Sequence, residues 1–138
     1  MAETDLKLVN AWLLKAAHDL RAAQALSSGE GDPLDAAIYH CQQAAEKALK
    51  AYLCYAGVPI EKTHDVERLI KLAAAHLPSF SRRLDDAEIV TPYATRFRYP
   101  MEGVPDEPPQ AEFEEALTAA RRIYDFVLSV LPVDAHPV

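Results

Sequence analysis

The sequence predicts an all-α protein, an up-and-down antiparallel helical bundle of about five helices. Three observations carry this. Apolar residues recur at three- and four-residue steps along most of the chain. No run alternates apolar and polar residues with β-branched enrichment, so no sheet is expected. Breaker residues cut the periodic stretches into helix-length pieces suited to antiparallel neighbours. At 138 residues, one domain with a real core is expected over residues 1–132, followed by a flexible tail over 133–138.

The first helix rests on Leu6, Val9, Leu13, Ala16, Leu20 and Ala23 and runs to about Leu26. Ser27-Ser28-Gly29-Glu30-Gly31-Asp32-Pro33 then breaks the pattern. Asp32 followed by Pro33 is a cap-and-first-turn pair for the second helix, which runs to Tyr55 and is stopped by Gly57-Val58-Pro59. Thr63 can cap the third helix, with Asp65 and Glu67 in its first turn favoured by the dipole. Val66, Leu69, Ile70 and Ala73 give its apolar face, and His76-Leu77-Pro78 ends it. A fourth helical stretch is expected over residues 79–88, with a further piece over 91–96 that opens with Pro92. Residues 99–110 hold four of the ten prolines and read as an extended loop. Phe113, Leu117, Ala120, Tyr124, Val127 and Leu131 form a last helix, stopped by Pro132.

Composition narrows the function classes. Half the residues are apolar and a quarter charged, the profile of an ordinary soluble globular protein. No apolar run is long enough to cross a membrane. Met1-Ala2-Glu3-Thr4-Asp5 has neither a basic region nor an apolar core, so no secretory signal is expected and a cytoplasmic location is. Cys41 and Cys54 are not a Cys-x-x-Cys pair and read as two buried thiols on one helix, so no metal site is expected. A net charge of −7 argues against broad, non-specific nucleic-acid binding, which depends on neutralised phosphates. It leaves room for a local basic pocket around Arg96 and Arg98.

The second helix is the most informative element. At 100° per residue Ile38, Cys41, Ala45, Leu49, Tyr52 and Ala56 share a core face. Ala37, Ala44 and Ala51 repeat every seven residues on another side, where small side chains let a second helix approach closely. Next to them His40, Gln43 and Lys47 form a polar strip. That strip is either a solvated face or the lining of a cleft or dimer seam. Glu46 and Lys50 make an i, i+4 pair in the favourable order on the remaining side, contributing about 0.3–0.5 kcal/mol if exposed.

Two further constellations carry chemistry. In Lys62-Thr63-His64-Asp65 a histidine beside an aspartate can act as a general base, with Asp65 fixing its tautomer. The alternative is a histidine bonded to a nearby carbonyl or side chain. In Tyr93-Ala94-Thr95-Arg96-Phe97-Arg98-Tyr99-Pro100 two arginines alternate with aromatic residues. Arginine suits phosphate or carboxylate through its bidentate fork, and tyrosine can stack on a base. The alternative is arginine pairing with the protein's own acids while the aromatics pack. A glycine-rich phosphate loop, a Gly-x-Ser-x-Gly elbow, a His-Glu-x-x-His pair and a di-iron Glu-x-x-His set are all missing.

These constellations, in this order, resemble the HEPN family. The match lies in Ala17-His18-Asp19-Leu20-Arg21-Ala22-Ala23, in Tyr39-His40-Cys41-Gln42-Gln43-Ala44-Ala45-Glu46-Lys47-Ala48-Leu49-Lys50-Ala51, in Lys62-Thr63-His64-Asp65 and in Arg98-Tyr99-Pro100. The resemblance implies a bundle like the C-terminal domain of kanamycin nucleotidyltransferase, a nucleotidyltransferase substrate-binding-domain-like fold, usually homodimeric. It implies a minimal nucleotidyltransferase as partner, in a pair often of toxin–antitoxin type, and nucleotide or RNA as ligand classes. Some members are metal-independent ribonucleases that use an arginine followed four to six residues later by histidine. This chain departs from that pattern. No histidine follows Arg96 or Arg98 before His136, and seven residues separate Arg68 from His76.

The resemblance therefore implies the branch without the ribonuclease motif. The candidate ligand-binding residues are His40, Gln43, Lys47, His64, Asp65, Arg96, Arg98 and Tyr99, with Gln43, Lys47, His64, Arg98 and Tyr99 expected to converge near one end of the bundle. His64 and Arg98 are the candidates should catalysis occur, and no cofactor is expected. The leading reading is a nucleotide- or partner-binding module. The alternatives are a ribonuclease with a non-standard site and a structural homo-oligomer without ligand.

Overall fold

The computed structural model describes residues 5–138. The residues before Asp5, on which the reading of the N-terminus mainly rests, lie outside the described ones. Five α-helices follow in order: α1 (Leu6–Ala25), α2 (Leu34–Tyr55), α3 (Val66–His76), α4 (Leu84–Val90) and α5 (Gln110–Val130). Short 3-10 turns at Pro78–Arg83, Thr91–Ala94 and Val133–Ala135 complete the chain, and the described residues contain no strand. Among the described residues no helix is long and apolar enough to cross a membrane.

The apolar periodicity becomes the core. α1 buries Val9, Leu13, Ala16 and Ala23, and α2 buries Ile38, Cys41, Ala45, Leu49 and Tyr52 along with Ala37, Ala44 and Ala51. At 22 residues, or about 33 Å, α2 is the central element and packs against α1, α3 and α5. Its pairing with α1 is antiparallel: Asp19 meets His40 and Lys47, while the earlier Trp12 lies by the later Lys50. Phe80 fills the centre, its ring 4.5 Å from that of Tyr52 and 4.8 Å from that of Phe126.

The caps differ from expectation in an instructive way. Asp32 does not cap α2; its carboxylate accepts from the Gly29 N–H at 2.8 Å. Pro33 takes the cap position without a side-chain bond. The exposed N–H of Leu34 donates instead to Glu107 at 2.8 Å. The proline-rich segment thus folds back and supplies a carboxylate to the positive end of α2. At α3 the cap is Asp65, which accepts from Arg68 N–H at 3.2 Å, while Thr63 accepts from Asp65 N–H. The stretch expected as a helix over 79–88 begins as a 3-10 turn, and α4 runs on to Val90.

Residues 133–138 fold back on the bundle. Ala135 is buried, and the Asn10 side-chain amide donates to the carbonyls of Ala135 and His136. His136 bonds back to the carbonyls of Leu128 and Leu131. These bonds satisfy carbonyls at the end of α5 that helix geometry leaves without partners.

Candidate functional site

The polar residues of α2 divide into two clusters. In the first, Asp19 reaches across from α1, where it occupies a buried position on the apolar stripe. One carboxylate oxygen accepts from His40 Nδ1 at 2.8 Å and the other from Lys47 Nζ at 2.7 Å. His40 and Lys47 stand two turns apart, and the single carboxylate bridges them. Their strip is therefore an ion-paired seam between α1 and α2 within one chain. A bare solvated face does not describe it.

The second cluster is deeper. Gln42, Glu46 and Lys50 follow at four-residue steps and all three are buried. Gln42 donates to Glu46 at 3.0 Å and to the His64 carbonyl at 3.0 Å, and accepts from Gln43 at 2.8 Å. Glu46 accepts from Lys50 Nζ at 2.9 Å and from His64 Nδ1 at 2.9 Å. The Lys50 ammonium also lies 5.8 Å from the Trp12 ring. The Glu46–Lys50 pair is thus buried, enclosed by α1 and the His64 loop, and the value of an exposed i, i+4 pair does not apply to it. Burial alone would raise the Glu46 carboxyl; the hydrogen bonds from Lys50, Gln42 and His64, with the Lys50 charge, hold it below its ordinary value.

This network fixes His64. Its carbonyl is held by Gln42 and its ring by Glu46. An ionised carboxylate only accepts, so Nδ1 carries the proton and Nε2 presents a lone pair when the ring is neutral. The side chain is 73% exposed, leaving that nitrogen available. Glu46 therefore does what was expected of Asp65, which is engaged as the α3 cap.

The third station is the arginine–aromatic segment. Arg98 lies over the Tyr39 ring of α2 at 4.1 Å and 5.7 Å from the Tyr99 ring centre. Arg96 turns away, 5.0 Å over Phe97 and 3.8 Å from Glu112. Glu112 also accepts from the Tyr93 hydroxyl at 2.7 Å. Burial first, and then this bond, push the Tyr93 hydroxyl well above its ordinary value. Phe97 has φ +69°, left-handed backbone that a bulky residue rarely adopts. An open depression of about 310 Å³ is lined by Asp35, Phe97, Arg98, Tyr99, Pro100 and Asp106.

Tyr39, under Arg98, and Glu46, under His64, are seven residues apart on α2. That spacing places them on nearly the same face, about 10 Å apart along the axis. Sequence reasoning missed Asp19, Gln42, Glu46 and Lys50 as organisers. One signal was available: Asp19 falls on the three- and four-residue stripe between Ala16 and Ala23, where a carboxylate must find partners. No group of three histidine, cysteine or acidic side chains comes together among the described residues in a way that could hold a metal ion.

Comparison with known proteins follows the same outline. The HEPN domain model matches residues 9–130, and the chain belongs to the HEPN domain family. It is similar to the solved structure of TT1696 from Thermus thermophilus, with 32% identity, a TM-score of 0.75, and coverage of 89% of this chain and 98% of that one. It is also similar to ST0689, an archaeal HEPN homologue, with 25% identity, a TM-score of 0.70, and coverage of 88% and 95%. No curated protein matches.

Proposed function

We propose that this chain is a nucleotide- or partner-binding module that forms a homodimer and joins a minimal nucleotidyltransferase in a toxin–antitoxin-type pair. The observation that carries the reading is the division of labour along α2. The inner polar groups are consumed by one another, through Asp19 with His40 and Lys47 and through Glu46 with Lys50. The outer groups, His64, Arg98 and Tyr99, are exposed, and two of them rest on α2, His64 on Glu46 and Arg98 on Tyr39. Such an arrangement suits recognition: its supports are fixed and its tips are open. The exposed Leu8 and Leu14 on α1 are consistent with a second protein surface.

Co-expression with any nucleotidyltransferase encoded beside this gene, followed by size-exclusion chromatography, tests the reading. One co-eluting complex is expected, and the chain alone should run at twice 15.3 kDa. Absence of such a neighbour, or separate elution, counts against the pair.

One observation favours metal-independent RNA cleavage as a second reading: Glu46 holds His64 with a basic nitrogen outward. RNA incubated in chelator with wild type and with His64→Ala decides this. Equal background cleavage ends it.

A further inference from the structure

Arg98, like Arg21, Arg82 and Arg121, forms no ion pair among the described residues, but of these four it alone lies over aromatic rings. Arg68 pairs with Glu61, Arg83 and Arg122 with Asp86, and Arg96 with Glu112. Arg98 makes no ion pair or hydrogen bond through its guanidinium among the described residues. It is held by ring faces alone, those of Tyr39 and Tyr99. Stacking of this kind engages the face of the guanidinium and leaves the N–H donors at its edge for an oxyanion. Asp35 and Asp106 line the same depression, yet neither pairs with the Arg98 guanidinium, so its edge stays free inside a groove that already holds two carboxylates.

The backbone holds this arginine in place. Phe97 stands at φ +69°, a strained conformation that persists only where surroundings impose it. Its ring is buried and stacks on Tyr93, with centres 6.1 Å apart and planes 15° apart. Pro100 stiffens the other side. Between these anchors stand Arg98 and Tyr99, the latter 66% exposed. An exposed aromatic face next to an unpaired guanidinium is the pairing that a nucleotide requires, one for the base and one for the phosphate. The depression of about 310 Å³ lies at the lower end of small-ligand clefts, roughly 300–1,000 Å³.

The same charges set a limit on the ligand. The groove offers one unpaired cation and two carboxylates. Each phosphate beyond the first adds charge that no second free cation meets and that Asp35 and Asp106 repel. The carboxylates can instead accept from ribose hydroxyls or an exocyclic amine. We propose that the Arg98–Tyr99 groove binds a nucleoside monophosphate, phosphate on Arg98 and base against Tyr99, and discriminates against the triphosphate. This rests on the nucleotide-binding arm of the function proposed above.

Calorimetric titration of the full chain with AMP, ATP, adenosine and inorganic phosphate tests it. AMP should bind saturably and at least about 5-fold tighter than ATP, with adenosine and phosphate each weaker than AMP. Tyr99→Ala should lower AMP affinity about 5- to 100-fold, the range of one base–aromatic stack. Arg98→Lys, which keeps the charge but loses the fork, should lower it about tenfold. Asp106→Asn should narrow the gap between AMP and ATP. All three positions are exposed, and circular dichroism checks that each variant folds. ATP binding as tightly as AMP, AMP affinity unchanged in either the Tyr99 or the Arg98 variant, or no AMP binding at all would overturn the proposal. Co-elution with the nucleotidyltransferase alongside any of these results would leave the partner reading standing and remove only this one.

Discussion

Replacing Glu46 by alanine removes the acceptor at the centre of the buried network, and the cost can be worked out contact by contact. Glu46 and Lys50 have side chains 5% and 9% exposed. Breaking a buried pair by deleting one member strands the other, at about 3–5 kcal/mol. The His64 contact adds little, because that ring is 73% exposed and solvent screens it. The Trp12 face, 5.8 Å from the ammonium, returns about 0.5–1 kcal/mol, too little to restore the balance. Glu46→Ala should therefore lose about 3–4 kcal/mol, a large share of the 5–15 kcal/mol typical of a domain. Glu46→Gln keeps the shape and an acceptor and should lose about 1–3 kcal/mol. Urea denaturation followed by circular dichroism reads both, as a lower midpoint at unchanged slope. Adding Lys50→Ala to Glu46→Ala should recover at least about 1 kcal/mol relative to the sum of the single losses. A Glu46→Ala loss below about 1 kcal/mol, or strict additivity with Lys50→Ala, would refute the reasoning. The pH dependence follows from the sign of the shift. Glu46 has its carboxyl lowered on folding from 4.5. Its contribution is therefore complete above that value and lost as pH falls through the folded one. Glu46→Gln should flatten the acid limb of stability and leave the neutral range parallel to wild type.

Three other outcomes are expected. Asp19→Asn keeps one acceptor but loses the charge and the second oxygen, so His40 and Lys47 can no longer both be held; it should cost about 1–3 kcal/mol by urea denaturation, with an unchanged midpoint contradicting the seam. Cys41, whose thiol is pushed up to about 12 by burial, should resist an aromatic disulfide reagent at pH 8 in the folded protein and react only in urea, while the partly exposed Cys54 labels first. Asn10→Ala should release the tail at about 1 kcal/mol and speed hydrogen exchange at the amides of Ala135 and His136, both bonded within the closing turn.

The helical frame was legible because it depends on periodicity and breakers, which are local. Ile38, Cys41, Ala45 and Leu49 needed only their spacing to be placed in the core. The caps were less legible, because Glu107 reaches Leu34 across 73 positions and no local pattern announces that contact. The site was read in part. His64 and Arg98 stood out by chemistry, but the carboxylate that orients His64 lies on α2, 18 positions earlier, and its burial depends on how α1 and the loop enclose α2. Arg96 and Arg98 look equivalent in sequence. Only the position of Glu112 separates the paired arginine from the unpaired one.

The grip of Asp19 on His40 and Lys47 also bears on register. Ala44 lies within one turn of both, and the alanines at 37, 44 and 51 make a nearly smooth row. A smooth, repeating surface gives a partner helix few reasons to prefer one longitudinal position over another displaced by a turn, about 5.4 Å. A carboxylate spanning an imidazole and an ammonium two turns apart can be satisfied in one alignment only. A one-turn slip leaves it opposite Gln43 or Lys50 and strands at least one charge. The ion-paired seam therefore acts as a detent: hydrophobic burial brings the two helices together, and Asp19 selects the one docking position in which His64 and Arg98 stand where the fold places them.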